Sequence, residues 1–143
     1  MIIDLDENAE QELKRADHLI YVTLKYTRTI DVIKNIIKRL ITAYDFAILE
    51  LLNYLKVKPS QIPRVRAQQL KKKKTSLRGD MEFYLFLRKL NKANYTKKEE
   101  YRKHVTMITK YAKVDIPTLE EYLKKTKEFV SFVREIIHKK KKR

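Results

Sequence analysis

The sequence predicts an all-α protein, an up-down bundle of about five helices with a basic connecting segment and a basic C-terminal tail. Three observations predict this class. The chain has 143 residues, which suits one domain with a hydrophobic core, here residues 1–138. Apolar residues recur at spacings of three and four along most of it. Its only glycine, Gly79, argues against tight β-hairpins and in favour of helices.

Two helices are predicted at the N-terminal end, over residues 8–27 and from Thr29 to Lys56. Each has an apolar stripe at helical spacing, and the second stripe is the longest in the chain. No proline or glycine separates the two helices. The break between Thr27 and Thr29 therefore rests on a drift in the stripe and on the capping potential of threonine. One continuous helix is the alternative.

The middle of the chain begins at Pro59 and Pro63, which disfavour helix in the residues before them. They introduce a basic segment over 58–80, predicted to be a loop or a short helix. The residues after Gly79 are apolar on nearly all sides. They predict a buried helix over 81–90 with Asp80 as its N-cap, and a buried strand is the weaker alternative.

Two capping-box patterns predict the last two helices. The first, Thr96 to Glu99, introduces a stripe formed by Tyr101, Val105, Ile108 and Ala112. The second, Thr118 to Glu121, follows Pro117 and opens the closing helix, which runs to Ile137.

The positive charge is confined to two stretches. Of a net charge of +16, residues 1–56 contribute almost nothing, with eight basic and nine acidic side chains. Residues 57–78 carry eight basic side chains and no acidic one, and residues 139–143 are all basic. The two clusters consist of Arg64, Arg66, Lys71, Lys72, Lys73, Lys74 and Arg78, and of Lys139, Lys140, Lys141, Lys142 and Arg143.

Such clusters attract phosphate backbones by releasing condensed counterions, with little sequence specificity. Nucleic acid, with RNA favoured, is therefore the predicted partner, and these twelve side chains are its predicted contacts. An acidic protein, an anionic membrane surface and a solvated charge run without a partner are the alternatives.

The composition excludes several kinds of chemistry. The chain has no cysteine, so it forms neither disulfides nor sulfur-ligated zinc sites. Phosphate cradles such as the P-loop need several glycines. No cofactor or metal is predicted. The acidic N-terminus differs from a signal peptide and no apolar run is long enough to cross a membrane, so a cytoplasmic protein is expected.

The aromatic residues are assigned mainly to the core. Stacking platforms for unpaired bases would need exposed rings, and the pattern leaves Tyr21, Tyr54 and Tyr95 for that role. Six others lie on or beside the apolar stripes: Tyr44, Phe83, Phe86, Tyr101, Tyr122 and Phe129.

No group of residues predicts a catalytic site. His18 falls on the polar face of the first helix, and His104 diverges from Arg102 on a helix. Asp31 and Asp45 are placed among lysines on a solvated face. Arg134 and His138 are four residues apart and can touch, which keeps a metal-independent ribonuclease as the least favoured function. Binding rather than catalysis is expected.

The segment Ala43-Tyr44-Asp45-Phe46-Ala47-Ile48-Leu49-Glu50-Leu51-Leu52 and the closing helix Leu119 to Ile137 resemble helices of the HEPN superfamily. The resemblance implies a helical bundle associated with nucleotide and RNA biology, and a homodimer. A second candidate function is a protein-interaction or dimerisation module of HEPN type. In that module the basic stretches would dock an acidic partner, and the near-continuous apolar segment 81–90 would partly form the interface.

The ribonuclease members of that superfamily carry an arginine followed, after four to six residues, by a histidine. Here the pair Arg134 and His138 encloses three residues, Arg15 and His18 two, and Arg102 and His104 one. The resemblance therefore implies a non-catalytic binding member, and no catalytic residue is transferred.

Overall fold

The computed structural model describes residues 8–141, and the side chains of residues 139–141 are outside that description. The chain is predominantly helical, as predicted, with a small sheet between its last two helices. The helices are α1 (Ala9–His18), α2 (Leu24–Tyr26), α3 (Ile30–Tyr54), α4 (Pro63–Lys73), α5 (Arg78–Lys92) and α6 (Ile116–Lys141). A π-helical turn, Leu19–Thr23, joins α1 to α2 without a break, and a 3-10 turn, Thr75–Leu77, precedes α5.

The predicted break between the first two long helices is confirmed. Thr29 has extended backbone and its side chain accepts a hydrogen bond from the Val32 N–H at 3.3 Å, which caps α3. The N–H of Ile30, the first residue of α3, donates to the Glu100 carboxylate at 2.9 Å. Side chains thus replace the missing helical acceptors, so α3 begins independently of α2.

Helix α3 is the central element of the fold. It contacts α1, α4, α5 and α6, and its apolar stripe is fully buried from Ile33 to Leu52. The core aromatics pack around Tyr44, whose ring stacks on Phe129 with centroids 4.8 Å apart. Phe83 meets Tyr122 edge to face at 5.3 Å. The predicted core role of these aromatics and of Phe86 is confirmed.

The predicted helix opened by Thr96 to Glu99 is wrong. This part of the chain forms an antiparallel sheet of β1 (Thr96–Lys98), β2 (Thr106–Ile108) and β3 (Lys113–Val114), in that order. Val105 and Met107 are buried while Thr106 and Ile108 are only half-buried, which is the alternation of a strand. Tyr101 is not in the core: it lies in the β1–β2 connection with 75% of its surface exposed.

The hairpins form although they contain no glycine. Glu99 and Tyr101 take left-handed backbone conformations, with φ of 53° and 70°. The Tyr101 N–H donates to the Arg28 carbonyl at 2.6 Å, which holds the connection against the start of α3. Scarce glycine argued against hairpins, yet the chain forms them, because non-glycine residues take the left-handed conformations in the β1–β2 connection.

Two predicted helix caps are also wrong. Asp80 lies inside the first turn of α5, whose N-cap position is occupied by Leu77. At α6, the carboxylate of Asp115 accepts the Thr118 N–H at 2.9 Å, and the Asp115 carbonyl accepts the Leu119 N–H at 3.0 Å. Asp115 is therefore the N-cap, and Thr118 is the third residue of the helix rather than its cap.

The basic segment 58–80 contains α4 and the start of α5. Pro63 begins α4, where its missing N–H and fixed φ suit the first helical turn. Ala67 and Leu70 bury the inner side of this helix. At the other end of the chain, α6 continues beyond residue 138 to Lys141. The side chains of the predicted tail cluster, and Lys142 and Arg143 altogether, lie outside the described residues.

Candidate nucleic-acid interface

The cations of α4 point in several directions. Arg64, Lys72 and Lys73 are exposed, while Lys71 and Lys74 are half-buried. Arg64 and Lys71, together with Gln68, are spaced by four and three and share one side of the helix. The predicted cluster is thus divided over the circumference of α4, and only part of it can contact one ligand.

Arg66 is the member of the predicted cluster that turns into the protein. Its side chain is only 14% exposed. The Nη1 atom donates to the carbonyls of Ser60 and Gln61, at 3.1 and 3.4 Å, and Nη2 lies 3.9 Å from the Asp45 carboxylate. Arg66 therefore holds the loop before α4 in place, unlike the other arginines of the cluster.

Arg78, at the start of α5, is open to solvent. Its side chain is 77% exposed, and its Nε lies 3.3 Å from the Glu82 carboxylate. An exposed pair of this kind is worth little and is readily exchanged for another anion.

Two adjoining pockets lie beside α4, α5 and the β2–β3 turn, and we call them together the basic groove. Its first part encloses about 390 Å³ between α4 and α5, and its second about 450 Å³ between the end of α5 and the turn. Lys89 and Lys92 line both parts, which makes the two one surface. The lining residues are Arg64, Gln68, Leu85, Arg88, Lys89, Lys92, Ala93, Asn94, Lys110 and Tyr111.

The charge of the basic groove has one sign. Five of its lining side chains are cationic and none is a carboxylate. Lys89, Lys92 and Lys110 are all exposed, and among the described residues they make no ion pair. A concave surface lined by one sign of charge concentrates its potential and attracts anions of extended shape.

Arg88 is fixed at the wall of the basic groove by a half-buried network. Tyr84 donates a short hydrogen bond to Asp45, and Arg88 Nη1 lies 3.4 Å from the Tyr84 hydroxyl and 4.0 Å from the Asp45 carboxylate. Burial raises the pKa of Asp45, although the hydrogen bond from Tyr84 and the two arginines act against it. Burial likewise raises the pKa of Tyr84 above its ordinary value.

The prediction that Asp45 sits on a solvated face is therefore wrong, since only 26% of its side chain is exposed. Its carboxylate anchors Arg66 on one side and Arg88 on the other. The sequence suggested a surface residue because lysines surround Asp45 along α3, while its actual partners come from α4 and α5.

Arg88, Lys89, Lys92 and Lys110 were not predicted from the sequence. They belong to residues 79–138, where thirteen basic side chains are diluted by nine acidic ones. One signal was available: residues 83–98 contain five basic side chains and no acidic one. This local run marks the α5 part of the basic groove, but Lys110 joins it only through the fold.

At the least favoured candidate site, Arg134 and His138, the arginine is bound by two carboxylates. Arg134 donates from Nε and Nη2 to both carboxylate oxygens of Glu10, at 2.8 and 2.7 Å, and from Nη1 to Glu50. These two carboxylates use all three nitrogens of the guanidinium. His138 is exposed on α6. Arg134 is thus a structural residue that joins α1, α3 and α6.

The tyrosines proposed as stacking platforms are distributed differently from the prediction. Tyr21 is exposed, at 43%. Tyr54 and Tyr95 are half-buried and pack against the core, and the Lys34 ammonium lies 4.9 Å from the Tyr95 ring centre. Tyr111, which the sequence did not single out, is 44% exposed at the end of the basic groove.

Two other properties of the described residues bear on function. None of the helices in that part of the chain is both long and apolar enough to cross a membrane. Within the same residues, no three histidine, aspartate or glutamate side chains form a group that could hold a metal ion.

Comparisons with protein-family models, with curated proteins and with solved structures found no match for this chain. The resemblance to the HEPN superfamily therefore stays a prediction.

Proposed function

We propose that this protein is a nucleic-acid-binding helical module, with RNA as the favoured ligand, and that the basic groove is its main contact surface. The observation that carries the proposal is the continuous run of five cations, without a carboxylate, from α4 to the β2–β3 turn. RNA is favoured because of the resemblance of residues 43–52 and 119–137 to helices of the HEPN superfamily.

The chemistry of the lining residues supports a phosphate backbone as the ligand. Arginine and lysine neutralise phosphates and release counterions, and they carry little sequence information in doing so. Only 28% of the Arg88 side chain is exposed beside Asp45 and Tyr84, so it loses less side-chain freedom on binding than a fully exposed arginine would. Binding is therefore expected to be salt-dependent and only weakly selective for sequence.

Of the clusters recognised in the sequence, the α4 cluster contributes Arg64 to the lining of the basic groove. Lys71 shares the side of α4 that carries Arg64, at the edge of the basic groove. Lys72, Lys73, Lys74 and Arg78 are assigned to flanking, longer-range attraction. The C-terminal cluster, whose side chains lie outside the described residues, keeps its predicted role as a phosphate contact. Arg66 is withdrawn from the proposed contacts because its guanidinium binds the loop before α4.

The test is a binding titration by fluorescence anisotropy with labelled single-stranded RNA, duplex RNA and DNA at about 50 and about 200 mM salt. The proposal predicts binding whose affinity falls steeply between the two concentrations. Affinity that is independent of salt, or the absence of binding to every nucleic acid at low salt, would overturn it.

The same binding assay distinguishes nucleic-acid binding from the second candidate function, a protein-interaction or dimerisation module. Its expected interface, segment 81–90, has Met81, Tyr84, Leu87 and Leu90 buried in the chain's own core. Polyglutamate serves as a probe for an acidic protein partner. If it binds as tightly as RNA at equal charge, the groove recognises acidic chains in general and the nucleic-acid assignment fails.

A further inference from the structure

The β2–β3 turn presents an aromatic ring on a rigid backbone. Residues 109–112 connect the paired residues Ile108 and Lys113. The Thr109 hydroxyl oxygen accepts the N–H groups of Tyr111 and Ala112, at 3.1 and 3.0 Å. The Thr109 N–H donates to the Ala112 carbonyl at 3.0 Å. These bonds fix the backbone at Tyr111 without a glycine, so the direction of its side chain is largely set before any ligand arrives.

Tyr111 is an exposed ring with lysines nearby, a combination that suits a nucleotide. Its side chain is 44% exposed, and the Lys110 ammonium lies 5.2 Å from its ring centre. It lines the second part of the basic groove, which it shares with Lys89 and Lys92. One small area thus combines a π face for a base with cations for the adjoining phosphates.

We infer that Tyr111 stacks an unpaired base, which makes single-stranded rather than duplex nucleic acid the ligand of the basic groove. This inference rests on the proposed function and narrows its substrate class. In a duplex the bases are stacked on one another and offer no face to a side chain, whereas unpaired bases stack readily on exposed aromatics. Tyrosine suits this role because few torsions need to be ordered on binding.

The test compares Tyr111→Ala, Tyr111→Phe and Tyr101→Ala in binding to a single-stranded RNA and a duplex RNA at low salt. Tyr101 is a matched control, because it is an exposed tyrosine at the opposite end of the small sheet. Tyr111→Ala is expected to weaken single-strand binding by roughly 5- to 150-fold and to leave duplex binding and the salt dependence unchanged. Tyr111→Phe and Tyr101→Ala are expected to bind like the wild type.

A second readout reports on stacking itself. Single-stranded RNA that carries the fluorescent base 2-aminopurine loses emission when that base stacks. We expect additional quenching on binding to the wild type and to Tyr111→Phe, and none with Tyr111→Ala. Circular dichroism and thermal unfolding of each variant show whether it is folded, so a loss of binding can be attributed to the ring.

The outcomes separate this inference from the function on which it rests. If the wild type binds no nucleic acid in a salt-dependent manner, both fail. If the wild type binds but Tyr111→Ala binds single strands equally well, or loses duplex affinity to the same extent, only the role of Tyr111 is overturned.

Discussion

Lys56 closes α3 in a backbone conformation that glycine usually supplies. Its φ is 61°, the Lys56 N–H donates to the Asn53 carbonyl at 3.1 Å, and the Val57 N–H donates to the Leu52 carbonyl at 3.0 Å. This pair of bonds defines a Schellman motif. The only glycine of the chain, Gly79, lies instead in the first turn of α5 with ordinary φ, where an added Cβ would contact nothing.

Lys56→Gly is therefore expected to stabilise the protein by about 0.5–1 kcal/mol, because relief of left-handed strain exceeds the added entropy of the unfolded chain. Urea unfolding measures the free energy of unfolding. Lys56→Ala is the control and should give no gain, since alanine keeps the Cβ. Equal effects of the two substitutions would show that the lysine side chain, not the backbone, sets the difference.

The burial of Asp45 makes its contribution to the free energy of unfolding decrease as pH rises. Because burial raises its pKa in the folded protein, the folded state keeps the proton to a higher pH than the unfolded chain does. The contribution of Asp45 to the free energy of unfolding is therefore greatest below about pH 4 and declines as pH rises through the raised pKa. The wild type should lose stability relative to Asp45→Asn over that range.

Asp115 serves as a control, because its contribution to the free energy of unfolding should change with pH in the opposite direction. Burial opposes its ionisation, but the hydrogen bonds from the Thr118 hydroxyl and N–H outweigh this and lower its pKa. Its contribution is present above about pH 4 and is lost as pH falls through the lowered pKa. Denaturant titrations at several pH values compare each variant with the wild type. An Asp45→Asn trend that parallels Asp115→Asn would contradict the account of Asp45.

Among the elements, α6 has two candidate N-cap residues, Asp115 and Thr118, and substitutions can distinguish them. Asp115 accepts the Thr118 N–H at 2.9 Å and the Thr118 hydroxyl at 2.7 Å. Asp115→Ala removes the capping acceptor and should cost about 1 kcal/mol of unfolding free energy. Thr118→Ala leaves the backbone N–H bond intact and should cost less. The reverse order in urea unfolding would restore Thr118 as the cap.

The sequence predicts the helices of this fold better than it predicts their caps. Helices with a long apolar stripe, such as α3, follow from spacing alone, because one buried face defines the helix. Caps do not, since Asp115 and Thr118 are both good capping residues three positions apart and only the course of the chain selects one. Element boundaries are therefore the part of each helix that spacing leaves open.

The sheet was missed for a related reason. Tyr101, Val105, Ile108 and Ala112 match helical spacing, while Val105 and Met107 match the alternation of a strand, and a short segment satisfies both. The turn at Thr109 decides the outcome through its hydroxyl rather than through a glycine. Such a side-chain bond leaves no periodic signal in the sequence.

Across the whole molecule, three glutamates of α1 and α3 form ion pairs that join the helices. Glu12 is 2% exposed and pairs with Arg15 at 2.7 Å and Arg39 at 3.3 Å, which joins α1 to α3. Glu10 and Glu50 bind Arg134 and add α6 to this assembly. Of the cations that line the basic groove, Arg88 pairs with Asp45, while Arg64, Lys89, Lys92 and Lys110 make no ion pair among the described residues. The charge of those four therefore stays available to an anionic ligand.

This arrangement also limits what the sequence could predict of the candidate site. The cluster on α4 is visible as a run of cations and supplies one edge of the basic groove. Its other side is built from α5 and the β2–β3 turn, and the fold alone brings Lys92 and Lys110 together. A local charge run therefore locates the region, while its exact contacts depend on packing.

The slope of log Kd against log salt for single-stranded RNA shows whether the lysines of the basic groove contact the phosphate backbone. The wild type is compared with Lys89→Gln/Lys92→Gln and with a control of equal charge, Lys25→Gln/Lys103→Gln, whose exposed lysines do not line the basic groove. We expect a slope shallower by about one to two for the groove variant and an almost unchanged slope for the control, because only the groove variant loses phosphate contacts. Equal changes in both variants, or none in either, would contradict this expectation.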